Sequence, residues 1–173
     1  MNKLGFSSLA AASLMNLLQK QRDAFGLTIF DEKVQQHTRC KSSTKHYRML
    51  LSFLQQLIDN PEHDKTTSTA EALHQIADSV HRRSLIMIFS DMFETNENTQ
   101  ELFNALQHLK YNKHEVVLFH VVDKSREIDF EFENRPYRFV DLESGEEVKL
   151  NPGEVKDFYQ EQILSLLLKP SKM

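Results

Sequence analysis

Asp91 is the residue in this sequence whose position most suggests chemistry. It lies just beyond an apolar run, LIMIF at residues 85–89, that is short enough to be a strand buried on both faces. In open α/β sheets, ligands and ions bind at the carboxyl ends of the strands. The sequence therefore makes Asp91 the first candidate for a binding or catalytic carboxylate.

Thr67 is the second candidate. Ser68 and Glu71 have the S-x-x-E spacing of a capping box, which predicts that a helix starts here and leaves the Thr67 hydroxyl uncommitted. The chain crosses the sheet from this helix, which places the loop near the carboxyl end of strand 85–89. A hydroxyl and a carboxylate at neighbouring loop tips suit a hard cation such as Mg²⁺. Threonine and aspartate are also common turn residues, so simple turn and capping roles are the alternative.

Other chemistry-bearing residues form no comparable pattern. None of the four glycines lies in a phosphate-binding loop, and no G-x-S-x-G elbow is present. The eight histidines show no ligand spacing, and His120, in an apolar strand, is interpreted as a hydrogen-bonded core histidine. Cys40 lies between Arg39 and Lys41, which could lower its pKa, but without a nearby histidine an unreactive strand-end thiol is favoured. No catalytic residue is assigned, because catalysis needs a nucleophile, a base and an orienting group together.

Composition indicates one globular domain. The chain has 173 residues, of which 27% are charged and 40% hydrophobic, with a net charge of -4. The absence of a long Lys/Arg cluster argues against binding to nucleic acid or to an anionic membrane. A single cysteine excludes an internal disulfide and favours a reducing, cytoplasmic location. Residues 4–18 fit an amphipathic helix, and no segment is long enough to span a bilayer.

Helical and strand patterns alternate along most of the chain. Helices are predicted over about 3–20 and from caps at Ser42-Ser43, Ser68, Asn98 and Asn151, the last with Pro152 at the first helical position. Strands are predicted at 24–30, 34–39, 85–89, 114–122, 138–142 and 147–150, with the first two and the last two forming hairpins. This alternation favours a three-layer α/β fold.

Four segments carry a family resemblance in consistent order. They are KLGFSSLAAASLMNLLQKQRDAFGLTIFDEKV (3–34), TSTAEALHQIADSVHRRSLIMIFSDMFE (67–94), HEVVLFHVVDKSREIDFEF (114–132) and FVDLESGEEVKLNPGEVKDFY (139–159). Together they resemble the C-terminal half of bacterial proteins in the domain-of-unknown-function family 58, which is a von Willebrand factor A-like domain. The motifs QRDAFGL, SDMFE and VDLESGE are moderately specific, and the ordered set carries the resemblance.

The resemblance implies a fold and a site. The fold is a doubly wound, mostly parallel Rossmann-like sheet of the von Willebrand A-like type, with residues 1–173 as one partial domain. The site is a metal-ion-dependent adhesion site, built from an Asp-x-Ser-x-Ser motif after the first strand, a threonine and an aspartate. Thr67 matches that threonine, and Asp91 matches that aspartate.

The sequence departs from this pattern at the principal ligands. It contains no Asp-x-Ser-x-Ser motif, and the nearest imitation, DKSRE at 123–127, follows a different strand and ends in glutamate. The sequence starts in the helix that follows the motif in the family, so we expect the first strand to be absent. Mg²⁺ is therefore expected to bind this chain weakly or not at all. Strands that flank a missing strand must pair directly or leave open edges, through which copies could form homo-oligomers.

The resemblance further implies a non-enzymatic protein–protein interaction module. In the intact protein a partner's carboxylate would complete the metal coordination. Family members are often encoded beside MoxR-type AAA+ ATPases, which makes such an ATPase the partner that the resemblance suggests. The alternative is a Mg-dependent enzyme or a phosphoacceptor domain that uses Asp91.

Overall fold

A computed structural model describes residues 2–31, 34–60, 69–90, 99–140, 145 and 147–167, without the side chains of 99, 162 and 164–167. The chain divides into two compact units, Met1–Val121 and Val122–Met173. The first contains α1 (Lys3–Gln21), β1 (Thr28–Phe30), β2 (Val34–His37), α2 (Thr44–Asp59), α3 (Thr69–Ser79), β3 (Leu85–Ser90), α4 (Thr99–Tyr111) and β4 (Glu115–His120). The second contains a short π-helix (Lys124–Ile128), β5 (Tyr137–Val140), β6 (Glu147–Leu150) and α5 (Pro152–Leu167).

Local signals set the ends of the first two helices. The Asn2 side chain accepts a hydrogen bond from the Gly5 N–H at 2.8 Å and caps α1. The predicted cap of α2 is confirmed, because the Ser43 hydroxyl accepts from the His46 N–H. The two helices pack together around Met15, Phe25, Leu50 and Leu54. This cluster is one of the two hydrophobic cores of the first unit.

The predicted hairpin after α1 is confirmed, but its first strand is shorter than 24–30. β1 and β2 are antiparallel, and β1 covers only Thr28–Phe30. The Thr38 N–H donates to the Leu27 carbonyl at 3.0 Å, but the Leu27 N–H donates to the Thr38 hydroxyl at 2.7 Å, so a side chain replaces one of the two backbone hydrogen bonds there. Gly26 is required at this crossing, since a Cβ would lie 2.5 Å from the Thr38 carbonyl oxygen.

The second core lies between two helices and a parallel strand pair. β3 and β4 run in parallel, from the Leu85–Glu115 pair to the Ser90–His120 pair. Helices α3 and α4 pack on one face of the pair, and the core contains Ala70, Leu73, Ile76, Ala77, Ile88, Leu102, Ala105 and Leu109. Helical periodicity predicted inward positions for α3 and α4, and five of them are buried in this core: Leu73, Ile76, Ala77, Leu102 and Leu109. The other two, Val80 and Leu106, pack against it and are partly buried.

The prediction that strand 85–89 is buried on both faces is wrong for the described part of the chain. Because strand side chains alternate, residues 86 and 88 face the helices and residues 85, 87 and 89 face away. Leu85 is 52% exposed, and Val117 and Phe119 of β4 are 40% and 38% exposed. The structure is thus a mixed α/β arrangement with a small parallel sheet whose second face is partly open.

The second unit is held by an aromatic cluster and a hairpin. β5 and β6 pair antiparallel as predicted, from Tyr137–Leu150 to Val140–Glu147. The cluster joins Phe130, Phe132, Tyr137, Phe139 and Tyr159. The Tyr159 hydroxyl donates to the Glu127 carbonyl at 3.1 Å, and burial raises the pKa of this phenol.

Asn151 does not cap α5 through its side chain, contrary to prediction. Its Oδ1 is buried and has no hydrogen-bond partner among the described residues. The Asn151 backbone carbonyl accepts from the Glu154 N–H at 3.0 Å, and Pro152 occupies the first helical position, where an N–H would have no partner within the helix. Across the described helices, none combines the length and apolarity that a membrane span requires.

Candidate functional site

The two predicted ligands, Thr67 and Asp91, both lie outside the described residues, which stop at 60 and 90 and resume at 69 and 99. Their immediate neighbours are described. Thr69 is buried at the start of α3, and Ser90 is the last residue of β3. Asp91 is therefore the residue that directly follows the carboxyl end of a parallel strand.

The strands β3 and β4 remain paired up to their carboxyl ends. The ladder continues one residue past β4, where the Val121 N–H donates to the Ser90 carbonyl at 2.9 Å. Phe89 and Phe119 stack with ring centroids 4.7 Å apart and planes 8° apart. The described ladder of this parallel pair thus extends to Ser90 and His120, whose carboxyl ends lie at one edge, and the sequence argument for Asp91 relies on such an edge.

The described residues hold no alternative metal centre. No group of three or more His, Cys, Asp or Glu side chains in this part of the chain could hold a metal ion. The donor chemistry of Thr67 and Asp91, a hydroxyl and a carboxylate, fits Mg²⁺. Two such residues supply fewer oxygens than the octahedral shell needs.

Asp123, which begins the imitation motif DKSRE, has a structural role. Its Oδ1 accepts from the Ser125 hydroxyl at 2.8 Å, the Ser125 N–H at 3.1 Å and the Arg126 N–H at 3.3 Å. The Glu127 carboxylate accepts from the Asp123 N–H at 2.8 Å, so the two ends of the π-helix turn cap each other. The hydrogen bond from the Ser125 hydroxyl, chiefly, holds the pKa of Asp123 below its ordinary value.

Two histidines that the sequence left unconnected meet between α3 and α4. His74 and His108 have their Nδ1 atoms 3.0 Å apart, and His108 Nε2 lies 3.4 Å from an Asp78 carboxylate oxygen. One Nδ1 must donate and the other accept, so at least one ring is unprotonated at that atom. The residues are 34 positions apart, and no sequence spacing signals such a pair.

The prediction for His120 is wrong, whereas the prediction for Cys40 is supported. His120 is exposed, so its prediction as a core histidine is wrong. The buried histidines of the described residues are His46, whose Nε2 contacts the Phe25 carbonyl at 3.0 Å, and His114. His114 Nδ1 accepts from the Ser84 N–H at 3.3 Å, and its Nε2 lacks a partner in the described part of the chain. Cys40 is a free, exposed thiol whose pKa is raised by the atoms packed against it, which supports the unreactive interpretation.

Comparison with known proteins gives one match. The profile of a family described as protein of unknown function DUF58 matches residues 2–164, which is nearly the whole chain. No curated protein and no solved structure shows significant similarity to this chain. The chain therefore belongs to the DUF58 family.

Proposed function

We propose that this chain is a non-enzymatic protein–protein interaction module, with its binding edge at the carboxyl ends of β3 and β4. The observation that carries the proposal is the parallel pair ending at Ser90 and His120, with Asp91 the next residue after Ser90. Membership of DUF58 is consistent with it. Oxygen-bearing side chains at such an edge favour ion and ligand binding.

The proposed fold is a three-layer, von Willebrand A-like sheet. Its support is the open second face of the strand pair, where Leu85, Val117 and Phe119 are partly exposed. Parallel sheets are normally covered on both faces, so apolar side chains here favour a third layer. We further propose a cytoplasmic location, since the single cysteine is a free thiol.

Metal-dependent docking is the proposed mode of binding. The Thr67 hydroxyl and the Asp91 carboxylate would hold Mg²⁺, which would supply a positive centre for a partner's carboxylate. A longer protein that provides an Asp-x-Ser-x-Ser segment would complete the shell, whereas this chain alone would bind Mg²⁺ weakly. A MoxR-type AAA+ ATPase is the proposed partner.

The test is binding between that ATPase and the full-length protein, measured by biolayer interferometry in Mg²⁺ and in EDTA. We expect binding that EDTA removes and that Asp91→Ala weakens by about tenfold or more. Asp23→Ala, which removes an exposed carboxylate elsewhere, is the matched control and should bind as wild type. Binding unaffected by EDTA and by Asp91→Ala would contradict the proposal.

The alternative reading of Asp91 predicts covalent chemistry. If the chain is a phosphoacceptor domain, acetyl phosphate should label it with a phosphoryl group, and Asp91→Asn should abolish the labelling. If it is an enzyme, it should hydrolyse phosphate esters. Either result would overturn the non-enzymatic proposal.

A further inference from the structure

A basic pocket lies at the opposite end of the strand pair from the proposed binding edge. Because β3 and β4 are parallel, the loops that enter them from α3 and α4 are neighbours. They line an open, solvent-exposed pocket of about 570 Å³, which is within the range of roughly 300–1,000 Å³ for small-molecule sites. It is lined by His81, Arg82, Arg83, Tyr111, Asn112 and Lys113.

Three of the lining side chains are cations without an ion pair in the described part of the chain. Arg82 and Arg83 come from one loop and Lys113 from the other, and all three are exposed. The chain as a whole has a net charge of -4, so this concentration of positive charge is local. Like charges gathered in a concave surface repel one another and raise the local concentration of anions.

Two of the cations occupy backbone positions that favour glycine. Arg83 has φ 64° and Lys113 has φ 63°. Lys113 lies in a Schellman turn, where its N–H donates to the Lys110 carbonyl and the His114 N–H donates to the Leu109 carbonyl. Arg22 has the same φ at the end of α1, so this conformation alone does not mark a site. It does provide a control outside the pocket.

The pocket walls are fixed by hydrogen bonds. Asn112 Nδ2 donates to the Ala77 carbonyl at 2.9 Å, which ties the end of α4 to α3. The Ser84 hydroxyl donates to the His81 carbonyl at 2.6 Å, and His81 Nδ1 donates to the Arg82 carbonyl at 2.9 Å. These bonds hold the backbone of the two loops, so ligand binding would require little rearrangement of that backbone.

We propose that this pocket binds a phosphate-bearing small molecule, with Arg82, Arg83 and Lys113 contacting the phosphate. Guanidinium groups form paired hydrogen bonds with phosphate oxygens, and the lysine adds a point charge. The three cations come from two short neighbouring loops, and this concentration of charge favours a compact anion over an extended acidic peptide. Tyr111, 81% exposed at the rim, offers a ring face to the rest of the molecule.

The experiment is isothermal titration of the chain with inorganic pyrophosphate at low ionic strength. We expect saturable binding of one pyrophosphate per chain. Arg82→Gln combined with Arg83→Gln should weaken it by at least tenfold, and Lys113→Gly by about tenfold. Lys113→Gly should also raise the melting temperature, because glycine adopts the Schellman turn without strain. Its loss of binding then cannot be attributed to unfolding.

Arg22→Gly is the matched control. It removes the same charge from the same backbone conformation outside the pocket, so it should raise the melting temperature and leave pyrophosphate affinity unchanged. Equal weakening by Arg22→Gly would show general electrostatic attraction and overturn the proposal. So would the absence of saturable binding, or tighter binding of a glutamate-rich peptide than of pyrophosphate.

Discussion

At the residue scale, two aspartates that follow strands have different surroundings. Asp123 uses its carboxylate to hold the turn of the π-helix, with three hydrogen bonds on one oxygen. Asp91 is the next residue in sequence after β3, where we propose a metal ligand. Capping of the π-helix turn therefore explains the motif at 123–127. Asp91 remains the candidate metal ligand.

Replacing Ser125 with alanine should raise the pKa of Asp123 toward its ordinary value of 3.8. The Ser125 hydroxyl donates to the carboxylate and favours its charged form, so the folded pKa is depressed. The associated stability is present above the unfolded pKa and is lost as pH falls through the folded pKa. A side-chain NMR titration measures the shift, with Ser13→Ala on α1 as control. An unchanged Asp123 titration in Ser125→Ala would contradict this account.

At the element scale, the order and type of the helices and strands could largely be predicted from sequence. Caps such as Ser43 and the alternating apolar patterns are local signals, and they correctly place α2 and both hairpins. Burial could not be predicted in the same way. Whether Leu85 is covered depends on which element packs on the second face of the strands. The apolar segment 85–89 has the same pattern whether that face is covered or open.

Contacts across elements were also beyond sequence reasoning. His74 and His108 meet because α3 packs against α4, and nothing in the spacing of either helix indicates their partner. The candidate site was only partly predictable for a related reason. The apolar run 85–89 predicted Asp91 at a strand end, and the capping box at Ser68 made Thr67 the second candidate, but whether two such residues meet depends on tertiary packing that neither local pattern specifies.

The His74–His108 contact should be energetically coupled. Alanine at either position should destabilise the fold by about 1 kcal/mol, and the double variant should lose less than the sum by about 0.5–1.5 kcal/mol. The Asp78 contact adds little, since that carboxylate is largely exposed. Urea unfolding of the wild type, the two single variants and the double variant measures this coupling energy. Strictly additive losses would show that the two rings do not interact.

At the whole-molecule scale, the edges of the β3–β4 pair have the largest expected effect on the behaviour of the chain in solution. β3 and β4 pair with each other, and among the described strands neither pairs with β1 or β2. An unpaired strand edge with apolar neighbours is a template for association. The separate compact unit Val122–Met173 has its own aromatic cluster.

We expect concentration-dependent association of the chain, measured by light scattering. Met87→Lys, on the outward face of β3, should reduce it, because a charge on an edge strand opposes pairing. Phe158→Lys removes an exposed aromatic residue from α5 and should have little effect. A monomer at all concentrations, or loss of association in Phe158→Lys alone, would contradict association through the strand edge.

The most direct test of the central claim is paramagnetic broadening of NMR signals by Mn²⁺, which shares the preference of Mg²⁺ for oxygen ligands. If Asp91 holds a weak cation site at the carboxyl edge, Mn²⁺ should selectively broaden the amide signals of Ser90 and Val121. It should leave Lys113, at the opposite end of the strands, sharp, and Asp91→Ala should abolish the effect. Broadening centred elsewhere, or unchanged in Asp91→Ala, would contradict a metal-binding edge at the end of β3.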